Sequence, residues 1–244
     1  MNRVAQSNKA GVTLPSGPPH IAMIDDDGGV RHSTGMLMET RAWLFTEFER
    51  ATDFLEKGVP SHFNCLIIDI RIPGMSGIEL FNALLTNAKK NHEYVPPALF
   101  LSGHGDIPMA VQLMHQGAVD FLEKPVNHRT LLDAIESTLQ ADRVRRETFL
   151  TQYELIEEIA KLTHREREVL TEIVSGYLSK QIAQRLHIST KTVEAHRLRI
   201  CQKFNTRTSM ELAAKLRDVP NSLWQLEKKG PGSLLARRGL LRAD

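Results

Sequence analysis

Cys65-Leu66-Ile67-Ile68-Asp69-Ile70-Arg71-Ile72-Pro73-Gly74-Met75-Ser76-Gly77 opens with four apolar residues, meets one aspartate, and runs into a turn rich in Pro and Gly. An apolar run of this length, closed by turn formers, suits a strand buried on both faces. Asp69 then stands at the carboxyl end of that strand. Four further runs have the same character: Ile21 to Ile24, Trp43 to Phe45, Ala98 to Leu101 and Val119 to Leu122. Between them apolar residues recur every three or four positions in Gly28 to Thr40, Ile78 to Lys90, Ile107 to Gln116 and Arg129 to Leu139. Strands alternating with helices predict an α/β domain with a five-stranded parallel sheet, of flavodoxin-like order 2-1-3-4-5.

In a parallel sheet the residues that follow the strands gather at one edge, where open α/β folds bind ligands. Here they are Asp25, Asp26 and Asp27 after the first strand, Asp69 after the third, Ser102 at the end of the fourth and Lys124 after the fifth. In the 2-1-3-4-5 order the first and third strands are neighbours, so Asp25, Asp26 and Asp69 meet. Two carboxylates about 4 Å apart repel by roughly 4 kcal/mol at an effective dielectric near 20, so the group calls for a cation. All-oxygen ligands with open positions suit Mg²⁺. An aspartate so placed can act as a nucleophile toward a phosphoryl group, with Mg²⁺ and Lys124 neutralising the charge on the transferred oxygens and Ser102 hydrogen-bonding the product. Taken singly, each Asp is more simply a turn or helix-cap residue. The joint placement at four strand ends is what favours the chemical reading.

The chain of 244 residues has room for two domains. No apolar stretch approaches the ~20 residues of a membrane span, and the first nineteen residues lack the apolar core of a secretory signal, so a disordered leader and a cytoplasmic location are expected. Cys65 and Cys201 have no companion at metal-ligand spacing and read as buried thiols. The near-neutral total charge conceals a split. Residues 20 to 140 carry nine Lys and Arg against sixteen Asp and Glu, whereas residues 162 to 218 carry eleven against six. Phosphate neutralisation by Lys and Arg is the sequence-independent part of nucleic-acid binding, so the C-terminal half is the candidate for a polyanionic partner.

The quoted stretch, with Ile24-Asp25-Asp26-Asp27, Leu101-Ser102-Gly103-His104-Gly105-Asp106 and Gly117-Ala118-Val119-Asp120-Phe121-Leu122-Glu123-Lys124-Pro125, resembles the receiver domain of response regulators over about residues 20 to 139. The resemblance implies that Asp69 accepts a phosphoryl group from a sensor histidine kinase. It implies Mg²⁺ held by Asp26, Asp69 and the main-chain carbonyl of Arg71, with Asp25 assisting, Ser102 and Lys124 as phosphate sensors, and Phe121 as the aromatic residue that reports the switch. Ser102 stands where receivers often have Thr, and the connection from Thr86 to Pro97 is longer than usual.

Beyond Gln140 the pattern is helical only. Residues 141 to 161 are charged and lack Gly and Pro, as a helical linker would. Thr163 with Glu166 has the form of a capping box, Gly176 stands where a helix would stop, Ser179 and Ser189 are natural N-caps, and Pro220 closes the last helix. Two short helices joined tightly through His187, Ile188 and Ser189 in a basic segment read as a helix-turn-helix whose second member enters the major groove. Val193, Ile200 and Phe204 form the inner face of that member. Lys191, Glu194, Ala195, Leu198 and Gln202 lie opposite, with Lys180, Thr192, His196, Arg197, Arg199 and Lys203 placed for phosphates. Glu194 suits cytosine, and Ala195 or Leu198 a thymine methyl. Helical phase alone fits a solvated bundle face equally well.

The run Leu162-Thr163, Glu166-Arg167-Glu168-Val169-Leu170, Ser179-Lys180-Gln181-Ile182-Ala183, Ile188-Ser189, Thr192-Val193-Glu194 and His196 is similar to the LuxR-type DNA-binding domain over about residues 162 to 218. Joined to a receiver it makes the chain resemble a NarL/FixJ-type regulator, nearest the FixJ branch. The organisation implied is a leader (1–19), a receiver (20–139), a helical linker (140–161), an all-α four-helix helix-turn-helix domain (162–218) and a disordered tail (219–244). The partners implied are double-stranded DNA, a histidine kinase and, on phosphorylation, a second copy of the chain. Two other readings remain: a DNA-binding regulator whose receiver is never phosphorylated, and a Mg-dependent phosphotransferase, which would typically carry a second Asp where Arg71 stands.

Overall fold

The computed structural model describes residues 17–103, 107–217 and 219, with 107–110 as main chain only. The chain divides into two compact units, one ending at Phe149 and one beginning at Leu150.

In the first unit the order is β1 (His20–Ile24), α1 (Gly28–Glu39), β2 (Leu44–Phe48), α2 (Ala51–Lys57), a 3₁₀ turn at Pro60–His62, β3 (Cys65–Asp69), α3 (Gly77–Asn91), β4 (Ala98–Ser102), α4 (Ile107–His115), β5 (Asp120–Glu123) and α5 (His128–Ala160). All strand pairings are parallel, in the order β2-β1-β3-β4-β5. Side chains alternate across the pleat, so each central strand feeds two layers. Ala22, Ile24, Leu66, Ile68 and Phe100 face Phe54 of α2 and Leu80, Phe81 and Leu84 of α3. Ile21, Met23, Cys65, Ile67, Leu99 and Leu101 face Met38 of α1 and Leu131, Ala134 and Ile135 of α5. Burial on both sides is why these strands are unbroken apolar runs.

Two elements differ from the expectation. β2 begins at Leu44 and continues through Thr46, Glu47 and Phe48; as an edge strand it has only exposed and half-buried positions and no continuous apolar run to mark its end. α2 was not foreseen, because seven residues with only Ala51 and Phe54 buried hold too few turns to show a period. The stretch expected as a helical linker is continuous with α5, which runs to Ala160, and its part from Leu150 belongs to the second unit.

The second unit continues from the end of α5 with α6 (His164–Val174), α7 (Ser179–Arg185), α8 (Thr190–Lys203) and α9 (Ser209–Lys215). Leu155 and Ile159 of α5 close its core with Val169, Leu170, Ile182, Val193, Ile200, Phe204, Leu212 and Leu216. Thr163 and Glu166 form the expected reciprocal cap on α6, and Gly176 has φ +86°, the left-handed turn that ends a helix. Ser189 caps α8 by accepting the Thr192 N–H at 3.0 Å. Ser179 does not cap α7: it is already helical, the cap position is Leu178, and the Leu178 N–H is taken by Gln181 Oε1 at 2.9 Å. The leader to residue 16, His104 to Asp106, Pro220 and the tail from 220 lie outside the described residues.

Candidate functional site

The carboxyl ends of β1, β3, β4 and β5 converge as the parallel order requires. Asp25 follows β1 and is fully buried; Asp69 ends β3 with 6% of its surface exposed. Each accepts a 2.7 Å hydrogen bond from the Lys124 ammonium, Asp25 through Oδ2 and Asp69 through Oδ2. Lys124 is carried there by β5, and its N–H donates to the Ser102 carbonyl at 2.7 Å, joining the ends of β4 and β5. Carboxylate oxygens of Asp25, Asp26 and Asp69 lie within 4.8 Å of one another, with Asp26 the exposed member. Asp27, by contrast, is an N-cap: its Oδ1 accepts the Gly29 and Val30 N–H groups at 2.8 and 3.2 Å. Those amides hold its carboxyl below the ordinary value.

Local chain geometry fixes Asp69. Its Oδ1 accepts the Arg71 N–H at 3.1 Å, and a Cβ at Gly77 would stand 2.1 Å from its carbonyl oxygen. Only glycine lets α3 begin this close to the strand end. Phe121 lies half-buried on β5, in register with Phe100 of β4.

Burial pushes the Asp25 carboxyl above its ordinary value, more than the Lys124 bond lowers it. Burial also works against the Lys124 charge, but its bonds to Asp25 and Asp69 outweigh that and hold its pKa up. One ammonium therefore balances a group of three acids, and a divalent cation would supply the missing charge. Ser102 Oγ is buried and has no hydrogen-bond partner, an uncommon state for a hydroxyl, which points to a missing ligand atom. The oxygen-only donor set fits Mg²⁺. Beside Asp26 opens a cleft of about 380 Å³ lined by Glu49, Arg50, Thr52, Pro73, Gly74 and Met75.

On the second unit, α8 exposes Lys191, Thr192, Glu194, Ala195, Leu198 and Arg199, while Lys180 is exposed on α7. Leu198 keeps 61% of its surface in solvent. Val193, Ile200 and Phe204 are buried, so the inner and outer faces fall as helical phase predicted. Three basic positions are placed differently from that outward face. Arg197 is half-buried and donates to Ser179 Oγ at 2.7 Å, linking α8 to the first turn of α7. His196 is half-buried, with an unpartnered Nδ1. Lys203 remains exposed, but its ammonium is committed to Glu166 Oε2 at 2.7 Å, linking α8 to α6. Helical phase gives each a direction but not its partner, and Glu166 had shown only its capping role.

Sequence reading also passed over Tyr94, Asp142 and Arg146, which are buried together at the other end of the sheet. The only signal was the four-residue spacing of an Asp and an Arg on a helix, common enough on solvated faces to carry little weight.

A doubly wound sheet with an acid pocket at its carboxyl edge, and a separate helix-turn-helix with an exposed recognition helix, define a two-domain regulator. The response regulator receiver domain family matches residues 21–136, and the family of bacterial regulatory proteins of the luxR family matches residues 160–216. The chain is 39% identical over 197 residues to the transcriptional regulatory protein FixJ of Azorhizobium caulinodans, covering 80% of this chain and 89% of that protein. It is 36% identical over 203 residues to the response regulator TodT of Pseudomonas putida, covering 83% and 87%. A solved structure of the response regulator StyR is similar over 82% of this chain and 99% of that one, at 39% identity and a TM-score of 0.60. The chain belongs to the NarL/FixJ-type response regulators, with a receiver and a LuxR-type DNA-binding domain. FixJ and TodT are both regulators. Among the described residues no helix is long and apolar enough to cross a membrane.

Proposed function

We propose that the chain is a cytoplasmic, phosphorylation-controlled transcription factor in which Asp69 takes a phosphoryl group from a sensor histidine kinase. The observation that carries this reading is the Lys124 ammonium held between Asp25 and Asp69, with the unpartnered Ser102 hydroxyl close by in the fold. Asp25, Asp26, Asp69 and the Arg71 carbonyl would hold Mg²⁺, which when bound neutralises charge on the phosphoryl oxygens. An oxygen of Asp69 attacks phosphorus, the O–P bond forms as the N–P bond to the donor histidine breaks, and the histidine leaves as a neutral imidazole after taking a proton. Lys124 exchanges a carboxylate oxygen for a phosphoryl oxygen, and Ser102 Oγ donates to another.

Drawing Ser102 and Lys124 toward the new group repacks β4, β5 and Phe121 and favours a receiver homodimer. Paired DNA-binding domains then reach two half-sites of double-stranded DNA. Each 1.4 kcal/mol or so of preference for the phosphorylated dimer shifts the population about tenfold, so a modest coupling suffices. Lys180, Lys191, Thr192 and Arg199 contact phosphates, while Glu194, Ala195 and Leu198 read bases; Arg197, bonded to Ser179, holds α8 against α7.

The test is incubation with MgCl₂ and acetyl phosphate, following mass, oligomeric state and binding to a promoter fragment. Wild type should gain one phosphoryl group, dimerise and bind DNA more tightly, and Asp69→Asn should do none of these. Uptake and tighter DNA binding by Asp69→Asn would refute the reading.

A further inference from the structure

At the amino-terminal end of the sheet a buried ion pair stands within helix α5. Asp142 and Arg146 are 1% and 2% exposed, and Arg146 Nε donates to Asp142 Oδ2 at 2.7 Å. Further polar atoms of both side chains meet the receiver. Asp142 accepts from the Tyr94 hydroxyl at 2.6 Å and from Asn64 Nδ2 at 2.8 Å. Arg146 donates to the Ser61 carbonyl at 3.0 Å and to the Phe63 carbonyl. Its guanidinium also lies 4.6 Å from the centre of the Tyr94 ring, and the other side of this cluster is closed by Phe149, 5.4 Å from Tyr94.

Burying two charges is costly unless every lone pair and proton finds a partner, and an apolar pair of equal volume would often hold a helix as well or better. What a satisfied polar network adds is register: an apolar face tolerates a slide, whereas these bonds are met in one placement only. The contacts reach the segment that leads into β3, residues 61–64, and Asn64 Oδ1 in turn accepts the N–H of His20 at the start of β1 at 2.9 Å. Tyr94 comes from the six-residue connection between α3 and β4. Asp142 and Arg146 fall between the two family matches, which end at residue 136 and begin at residue 160, so the shared pattern of neither domain accounts for them.

We propose that Asp142, Arg146 and Tyr94 form a clamp that makes α5 as far as Phe149 part of the receiver's own fold, so that the receiver's state is passed into this helix instead of being lost in a flexible tether. The second half of this statement rests on the phosphorylation-controlled function proposed above. β3 joins the two ends of the device, with the clamped residues 61–64 before it and Asp69 at its end. Arg143, Val144, Glu147 and Thr148 of the same stretch are exposed, while Arg145 donates to the Gly117 carbonyl at 2.8 Å.

Amide hydrogen exchange on the full-length protein tests the clamp, with phosphoryl uptake and DNA affinity measured on the same preparations. Residues 142–149 of the wild type should exchange as slowly as β3. Tyr94→Phe, which removes one hydroxyl and keeps the ring, should speed their exchange about tenfold, the effect of losing a hydrogen bond to a buried charged group. It should leave uptake at Asp69 intact and shrink the gain in DNA affinity that phosphorylation brings. Arg146→Met strands the Asp142 charge and should do more damage than Asp142→Asn combined with Arg146→Met, which removes both charges. Exchange of 142–149 at the rate of an unprotected helix in the wild type would overturn the clamp. Faster exchange in Tyr94→Phe with an unchanged gain in DNA affinity would overturn its role in coupling. A wild type that takes up no phosphoryl group refutes the function proposed above and the coupling with it, while the exchange rates still decide the clamp.

Discussion

The ammonium of Lys124 lies 2.7 Å from an oxygen of Asp69, a residue 55 positions earlier in the chain. This contact occupies the proposed phosphoacceptor in the resting pocket. Lys124→Met would leave Asp25 and Asp69 without their common counter-charge and should destabilise the metal-free receiver by about 1–3 kcal/mol. Added MgCl₂ should then raise the melting temperature of the variant more than that of the wild type. An equal rise in both would mean that lysine and metal do not share these acids.

The pH dependence of metal binding follows from Asp25. Burial raises its pKa above the ordinary 3.8, against the opposing pull of Lys124. The folded receiver therefore takes up a proton at higher pH than the unfolded chain, so ionising Asp25 costs stability above its folded pKa and acidification relieves that cost. Mg²⁺ needs the ionised form, so its affinity should fall with pH in a window above the ordinary carboxylate value. Titration calorimetry with MgCl₂ across mildly acidic pH measures this; in Asp25→Asn the window should vanish.

Gly77→Ala would place a methyl group 2.1 Å from the Asp69 carbonyl and 2.7 Å from Ile68 Cγ2. Backbone on one side and a buried strand on the other leave little room to yield. A loss of about 1–3 kcal/mol of receiver stability, or more, is expected. Phosphoryl uptake by the fraction that remains folded should slow as well, since the strand end must shift. Unfolding in urea and the rate of uptake from acetyl phosphate measure the two effects.

Lys203 and Lys191 should behave differently although both are basic residues of α8. Lys203 holds Glu166, and its bond together with those from Thr163 outweighs burial and keeps that carboxyl below the ordinary 4.5. A depressed carboxylate contributes stability above the unfolded pKa, and loses it as pH falls through the folded value. Lys203→Met should cost about 1–2 kcal/mol, discounted because the lysine is 37% exposed, and should move acid unfolding of the DNA-binding domain to higher pH.

Lys191→Ala should leave stability unchanged and weaken binding to every DNA sequence, lowering the salt slope of affinity by about 1. Glu194→Gln should instead alter preference among sequences, by about 1–3 kcal/mol at one base pair. Competition binding across a set of half-sites, at two salt concentrations, separates these outcomes. A salt slope that falls for Lys203→Met and not for Lys191→Ala would reverse the assignment.

Most of the receiver site was legible because strand ends in a parallel sheet lie at one edge, so apolar runs ended by Asp25, Asp69, Ser102 and Lys124 already state who meets whom. The exposed face of α8 was legible for a similar reason, since helical phase separates Val193 and Ile200 from Glu194 and Leu198. Both are properties of local repetition along the chain. The partners of Arg197 and Lys203 were not legible, because a long side chain reaches several neighbours and its choice depends on which carboxylate or hydroxyl the packing brings near. The short α2 and the end of the edge strand β2 escaped because neither buries enough residues to leave a period.

The sequence by itself determined the strand and helix alternation, the acid, hydroxyl and lysine set, and the acidic and basic halves, because each is written in residue type and spacing. Only the tertiary structure decided that Asp142 and Arg146 are interior and that the helix past Leu139 lies, as far as Phe149, in the same compact unit as the sheet. An Asp and an Arg four residues apart on a helix read as a solvated pair unless something covers them. What covers them here, Tyr94 and residues 61–64, comes from segments 48 or more positions away.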